Sequence, residues 1–233
     1  MSVSLAINTC CLDPKAGEGS SSGAKPYSQR AFVLRNFILP QAIADPFIDE
    51  VIVVGSWEEG AGYTYLPKPS VNFNCTDTLH QRQYAFEHSH GDIVIFMHDD
   101  HLLDLTCNGA RFNLAGYMST QEIDVLIPAR YTRLRKVEGE RLNSGEPGMW
   151  RGGVADNDAV TQMCTDVQAL GYIPGHCAIY RRKVLEACPW GDVEQVFHWD
   201  TMHTKRIMDA GFRCAHTTLA RVFDVEQGST PWV

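Results

Sequence analysis

The sequence predicts an α/β fold in which a mostly parallel sheet carries helices on both faces. Short apolar runs alternate along the chain with segments of helical periodicity, an order typical of parallel sheets that are covered on both sides. Polar residues follow directly after several of these runs, and ligands of such sheets bind beyond the carboxyl ends of the strands. The chain has 233 residues, which is long enough to bury a substantial core.

The first half of the chain supplies most of this pattern. Val3–Ile7 is an apolar run without clear alternation, which indicates a buried strand. Tyr27–Ala44 has apolar residues close to one helical face, but Pro40 interrupts the pattern, so we expect the helix to kink or end there. The other elements predicted in this half are a strand at Val51–Val54, a helix from Thr76 or Asp77 to about Glu87, and a strand at Ile93–Met97.

The second half is less regular. Val125–Ile127 predicts a fourth strand, whereas Arg133–Val160 is rich in glycine and charge without periodicity, which indicates long loops. A last helix is expected from about Trp199 to Ala210, because Gly211 stands where a helix usually ends. No internal repeat is present in the sequence, so it predicts one continuous domain over residues 1–233.

Composition narrows the function classes. Hydrophobic residues make up 44% and charged residues 21% of the chain, which is ordinary for a globular enzyme. No apolar run approaches the roughly 20 residues of a membrane helix, and no basic segment of a signal peptide is present, so a cytoplasmic location is expected. The net charge of −8 counts against a general nucleic-acid binder. The eight cysteines form no Cys-x-x-Cys pair and are expected to be reduced.

The stretch Gly91–Leu105, GDIVIFMHDDHLLDL, carries the strongest chemical signal. An apolar strand ends abruptly at Asp99 and Asp100, with His98 and His101 on either side. Carboxylates at the end of a strand suit a hard divalent cation such as Mg²⁺ or Mn²⁺, which can bridge the phosphate oxygens of a ligand. The alternative is that both aspartates only cap a turn.

Several segments resemble, in their order along the chain, one known family. VSLAINTCC resembles its opening strand, RAFVLRNFILPQAI its first helix, and EVIVVGSWEEG its second strand with the acidic loop that holds a nucleoside. TLHQRQYAFEHSHGDIVIFMHDDHLL resembles the helix with an arginine and the strand that leads into an Asp-x-Asp motif. YIPGHCAIYRRKVLE and PWGDVEQVFHWDTMHTKRIMDAGFRC resemble the acceptor-side segments. The chain thus resembles the inverting nucleotide-sugar glycosyltransferases of the GT-A fold, especially glycosyltransferase family 2.

The resemblance implies a Rossmann-like GT-A domain in which residues 1–105 bind the nucleotide-sugar and residues 106–233 face the acceptor. Contacts to the nucleotide-sugar are then expected from Thr9, Ser56, Trp57, Glu58, Arg82 and Asp99. His98 replaces the first acidic residue of the Asp-x-Asp motif, so Asp100 is the matching carboxylate for Mn²⁺ or Mg²⁺. A further metal ligand is expected near the C-terminus, for which Asp224 is preferred to His216.

The mechanism implied by the resemblance is an inverting transfer to an acceptor hydroxyl. Asp200 matches the aspartate of the family's Glu-Asp pair and is the candidate base, while Trp199 replaces the glutamate. The alternative for Asp200 is a helix N-cap. The cation would act as a Lewis acid on the diphosphate. His176 and Trp199 are expected to contact the sugar or the acceptor.

Two other readings stay open. A nucleotide-sugar-binding domain without turnover is consistent with His98 in the metal motif and with the missing glutamate before Asp200. A sugar-phosphate nucleotidyltransferase ranks lower, because the segment after the first strand, NTCCLD, offers neither glycines nor an immediate basic residue. The acceptor is unknown: a saccharide, a lipid carrier, a protein side chain or a modified nucleobase all fit a loop-rich acceptor half.

Overall fold

The computed structural model describes residues 1–9, 27–68, 75–99, 101–107, 110–111, 113–132, 161–163, 173, 177–190 and 199–224. Its strands are β1 (Val3–Thr9), β2 (Glu50–Gly55), β3 (Thr64–Pro67), β4 (Ile93–His98), β5 (His101–Asp104), β6 (Thr106–Cys107), β7 (Ala110–Arg111), β8 (Val125–Thr132), β9 (Thr161–Met163), β10 (Cys177–Arg181) and β11 (Cys214–Asp224). Its helices are α1 (Tyr27–Val33), α2 (Leu39–Ala44), α3 (Cys75–His88), α4 (Leu114–Thr120), α5 (Arg182–Ala187) and α6 (Trp199–Asp209). A π-helical turn, Leu34–Ile38, joins α1 to α2.

One sheet organises the described residues. Its strand order is β3-β2-β1-β4-β10-β8-β11-β5, and β9 pairs with β11 beside this path. The amino-terminal strands β1 to β4 run parallel, as do β8 and β11. The short strands β5, β9 and β10 are antiparallel to their neighbours. The predicted α/β fold class is confirmed, and β10 joins the two parallel parts.

The core lies on both faces of this sheet. On one face, Leu5 and Ile7 of β1 pack with Leu34 of the helical segment that includes the π turn. On the other face, Ala6 packs with residues of α3 such as Leu79. Because successive strand residues point to opposite faces, an apolar run without alternation is what a doubly covered strand requires. Of the helices that the structure describes, none is long and apolar enough to cross a membrane.

The first helix does not end at Pro40. The amide of Leu39 donates to the carbonyl of Leu34, five residues earlier, so the irregularity lies in the turn before the proline. Pro40 then occupies the first turn of α2, which continues to Ala44. Proline lacks an amide donor and clashes with the preceding turn, and a π-helical turn relieves both problems without ending the helix.

Candidate functional site

The carboxyl ends of three neighbouring strands meet at one edge of the sheet. Asn8 of β1 pairs with Val54 of β2 on one side and with His98 of β4 on the other. The next residue, Thr9, pairs with Gly55. The edge where the sequence predicted ligand-binding residues is therefore formed by β1, β2 and β4 together.

Thr9 and Ser56 hold the ends of β1 and β2 together. The Ser56 amide donates to the Thr9 carbonyl at 3.0 Å. Gly55 has φ of 127°, and a Cβ atom there would lie 1.9 Å from the Thr9 carbonyl oxygen. The close approach of the two strand ends thus requires glycine at this position.

Trp57 and Glu58 both contact Arg35. The Trp57 ring is buried in the core, with the Arg35 guanidinium 5.4 Å from its centroid. The Arg35 Nε donates to the Glu58 carboxylate at 2.9 Å, and both side chains are about half exposed. The expected contact of Trp57 with a nucleotide-sugar gains no support, because little of its ring is accessible.

The turn after β4 is held in place by Asp99. Its carboxylate accepts from the Arg30 guanidinium at 3.3 Å, and its amide donates to the Asn8 carbonyl at 3.2 Å. Asp99 is only 3% exposed, so it supports the turn from beneath. Asp100, the expected metal ligand, lies outside the described residues.

Strand pairing brings the backbone of Asp224 to this turn. Asp224 of β11 pairs with His101 of β5, which begins directly after the turn. The His101 ring is buried, and its centroid lies 6.1 Å from that of His98. Strand pairing therefore places the backbone of Asp224, the preferred C-terminal candidate, beside the turn. Its side chain lies outside the described part of the chain.

His216, the other C-terminal candidate, lies elsewhere on β11. It pairs with Ile127 of β8, whereas Asp224 pairs with Thr132. The five residues between these β8 positions correspond to about 16 Å along the strand, too far for both side chains to bind one ion at about 2.0–2.6 Å. His216 lies inside the sheet, where burial lowers its pKa to about 2.

The described residues contain no group of three or more His, Cys, Asp or Glu side chains placed to hold an ion. Strand pairing places the backbone of Asp224 beside His101 at the turn after β4, and carboxylates there would suit Mg²⁺ and Mn²⁺ alike.

Arg82 corrects a prediction. It was expected to contact the nucleotide-sugar, but its side chain is fully buried between α3 and the sheet. The guanidinium lies 5.6 Å from the Phe96 ring centroid and 5.9 Å from that of Trp190. A fully buried guanidinium has no accessible surface for a ligand, so Arg82 acts inside the protein.

Asp200 lies in the first turn of α6 and is partly exposed. Its carbonyl accepts from the Thr204 hydroxyl at 2.6 Å, an interaction within the helix. The candidate base therefore stands at the amino-terminal end of α6, with part of its side chain accessible.

Two residues predicted to contact the sugar or the acceptor have side chains that lie outside the described part of the chain. His176 is not among the described residues, and Trp199 is described only by its backbone at the start of α6.

Three residues near this edge, the partly buried Arg30 and the buried Asn8 and Gln81, were not among the predicted site residues. Arg30 was missed because it lies in helix α1, far in sequence from Asp99. The side-chain amide of Asn8 donates to the side-chain oxygen of Gln81 at 3.3 Å. The side-chain amide of Gln81 donates in turn to the backbone carbonyl of Lys68 at 2.9 Å. Asn8 directly follows the apolar run of β1, and that position was the available signal. No signal in the sequence indicated Gln81, because glutamine in a helix usually indicates an exposed face.

Comparisons with known proteins identify the fold. No protein-family model matches the chain, and no curated protein matches it in sequence. In structure, the chain is similar to S. aureus TarS, with 14% identity over 97% of this chain and 37% of that chain and a TM-score of 0.54. It is also similar to S. aureus TarS 1-349 in complex with UDP-GlcNAc, with 14% identity over 100% of this chain and 62% of that chain and a TM-score of 0.54.

The chain is likewise similar in structure to S. aureus TarS 1-349 in complex with UDP. The identity is 14% over 96% of this chain and 60% of that chain, and the TM-score is 0.54. The chain thus spans 37% to 62% of the length of these TarS chains. A likeness at this identity carries the fold, and TarS is a GT-A-type glycosyltransferase. The chain has the GT-A glycosyltransferase fold, as its sequence predicted.

Proposed function

We propose that this protein transfers a sugar, with inversion, from a nucleoside-diphosphate sugar to an acceptor hydroxyl. The observation that carries the proposal is the sheet of the GT-A fold, which brings the ends of β1, β2 and β4 to one edge. Carboxyl ends of parallel strands are where such sheets bind ligands. The likeness to TarS in complex with UDP-GlcNAc makes a UDP-sugar the first donor to test.

In this proposal Asp200 is the general base. Its carboxylate takes the proton from the acceptor hydroxyl as the oxygen attacks the anomeric carbon, and the bond to the diphosphate breaks on the opposite face. The departing diphosphate carries negative charge that must be stabilised. Asp100 and Asp224 would hold Mn²⁺ or Mg²⁺, which supplies Lewis-acid stabilisation of that charge.

Arg30 has an indirect part in the proposed site. By pairing with the Asp99 carboxylate, it holds in place the residue that precedes Asp100 in the sequence. A ligand that starts from a fixed backbone loses less conformational freedom when it binds an ion. The turn therefore needs both aspartates, one for support and the other for the cation.

Calorimetric titration tests the donor part of the proposal. UDP, GDP, dTDP and CDP are titrated with and without Mn²⁺ into the wild-type protein, Asp100→Ala and the control Glu87→Ala, an exposed residue of α3. We expect one nucleotide to bind in a metal-dependent way, with binding lost in Asp100→Ala and kept in Glu87→Ala. Absence of nucleotide binding under every condition would contradict the proposal.

A nucleotide-sugar-binding domain without turnover is the second candidate. The observation that favours it is the ion pair between Arg30 and Asp99, which neutralises one of the two adjacent carboxylates. UDP release from a UDP-sugar, measured with candidate acceptors present, separates the two functions. Binding with no release in the wild-type protein supports the binding domain, whereas release that Asp200→Asn abolishes supports the transferase.

A further inference from the structure

The loop that follows β2 is held from outside by two tyrosines. The Tyr65 hydroxyl donates to the Gly55 carbonyl at 3.1 Å and accepts from the Trp57 amide at 3.3 Å. The Tyr63 hydroxyl donates to the Glu58 carbonyl at 2.9 Å. Because these hydroxyls bond backbone groups that water would otherwise solvate, they keep the loop in one conformation.

The side chain of Glu58 is held by Arg35, a residue of the π-helical turn. The Arg35 Nε donates to Glu58 Oε1 at 2.9 Å, and the Arg35 Nη2 lies 2.8 Å from the same oxygen. The guanidinium also stands over the buried Trp57 ring, 5.4 Å from its centroid. Ion pairs between half-exposed side chains add little to stability. What this pair fixes is the orientation of the Glu58 carboxylate.

One oxygen of this carboxylate is left open. Both Arg35 nitrogens meet Oε1, and Oε2 has no hydrogen-bond partner in the part of the chain that the structure describes. An ionised carboxylate has acceptor sites on both of its oxygens. Glu58 Oε2 can therefore accept from a hydroxyl of a ligand while Oε1 keeps its contact with Arg35.

The strand order indicates which hydroxyl that is. The first four strands have the order β3-β2-β1-β4, so β2 lies beside the first strand at the ligand-binding edge. In doubly wound sheets of this order, an acidic residue after the second strand hydrogen-bonds the 2′-hydroxyl of a ribose. Glu58 follows soon after Gly55, the last residue of β2. By this analogy its open oxygen meets the ribose of a bound nucleotide.

We propose that Arg35 is a positioning residue that holds the Glu58 carboxylate where Oε2 accepts from the 2′-hydroxyl of the donor's ribose. This inference rests on the proposed function, because it needs a nucleoside-diphosphate donor at this edge. A carboxylate oriented before binding loses less conformational freedom when it meets the hydroxyl. A site built to bond a hydroxyl also discriminates against the analogue that lacks it. The protein therefore prefers ribonucleotides to their 2′-deoxy forms, and Arg35 contributes to that preference without touching the nucleotide.

Calorimetric titration in the presence of Mn²⁺ measures this preference, with dTDP and with UDP, GDP and CDP, each beside its 2′-deoxy form. We expect the wild-type protein to bind one ribonucleotide about 10- to 100-fold more tightly than its 2′-deoxy form, as for a hydrogen bond to a charged group. Glu58→Ala and Arg35→Met should each remove most of this ratio. Arg35→Lys should keep part of it, because an ammonium group can still pair with Oε1 but lacks the planar fork.

Arg213→Met is the matched control. Arg213 also pairs with an exposed glutamate, Glu122, at 2.7 Å. It stands at the amino-terminal ends of β8 and β11, the edge of the sheet opposite to the ligand-binding edge. This variant should keep the wild-type ratio. Because both forms of a nucleotide are titrated into the same protein, the ratio does not depend on the fraction of folded molecules.

The Glu58→Ala background separates positioning from direct contact. If Arg35 acts through Glu58, then Arg35→Met does not change the ratio further when Glu58→Ala is already present. A further fall in that background would show that Arg35 meets the ribose itself, which overturns the proposal. A wild-type ratio kept in Arg35→Met overturns it as well, because affinity lost equally for both forms indicates a merely structural role.

The remaining outcomes distinguish this inference from the proposed function. If the wild-type protein binds dTDP alone, or binds a ribonucleotide and its 2′-deoxy form equally, the inference is overturned and the proposed transfer is not. If the wild-type protein binds no nucleotide at all, the proposed function is overturned and the inference falls with it.

Discussion

At the scale of single residues, Gly55 sets how closely the ends of β1 and β2 approach. We expect Gly55→Ala to lower the free energy of unfolding by about 3 kcal/mol, because it combines a strained φ with a clash against the Thr9 carbonyl. Gly211→Ala is the matched control, since its φ is also positive but no atom lies within 4 Å of the added Cβ. Urea unfolding of both variants measures the difference, and equal losses would show that the clash at Gly55 relaxes.

The ion pair between Arg30 and Asp99 gives a second prediction at this scale. Arg30→Gln leaves the charge of a carboxylate that is 3% exposed without its cation, so we expect a loss of about 2 kcal/mol in unfolding free energy. The double variant with Asp99→Asn should recover part of the loss, because an amide is cheaper to bury than a charge. A double variant less stable than Arg30→Gln would show that Asp99 is held mainly by other groups.

At the scale of elements, Thr204 connects α6 to the segment at Ile173. Its hydroxyl donates to the Asp200 carbonyl at 2.6 Å and accepts from the Ile173 amide at 2.7 Å, and both contacts are buried or partly buried. Thr204→Val should destabilise the protein by about 2 kcal/mol, since it leaves a buried amide without an acceptor. Thr120→Val is the matched control, because its hydroxyl bonds only a helix carbonyl at an exposed position. Similar losses in the two variants would contradict this account.

The elements also show what a sequence pattern can and cannot predict. Strands β1, β2, β4 and β8 were predictable because burial on both faces gives continuous apolar runs such as Ile93–Met97. Strands of two to four residues, such as β5 and β9, carry too few positions for any period to appear. The direction of β10 depends on its place between β4 and β8, which is a property of the sheet rather than of the sequence CAIYR.

The same limit applies to the candidate site. Thr9 and Ser56 could be placed because strand ends share an edge, whereas the burial of Arg82 could not, because arginine in a helix usually indicates an exposed face. The separation of His216 from Asp224 follows from their pairing with β8, which sequence order alone does not contain. The sequence pattern thus located the binding edge of the sheet, and only strand pairing and burial showed which residues lie at that edge.

At the scale of the whole molecule, buried histidines make stability depend on pH. Burial lowers the pKa of His203 from 6.5 to about 4. The hydrogen bond between its Nε2 and the Cys188 carbonyl favours the charged form, but this effect is smaller than that of burial. Between these pH values the unfolded chain binds a proton that the native protein excludes. The free energy of unfolding therefore falls as the pH falls from 6.5 to 4, and His203 contributes about 3 kcal/mol of that decrease.

Urea unfolding at pH 7, 5.5 and 4.5 measures this dependence in the wild-type protein, His203→Gln and the control His88→Gln. His88 is exposed, so its replacement is the control for the loss of an imidazole at the surface. His203→Gln should reduce the slope without abolishing it, because burial also lowers the pKa of His216 and its contribution has the same sign. A slope unchanged by His203→Gln would show that His203 takes up its proton at the same pH in the folded protein as in the unfolded chain, which would contradict this account.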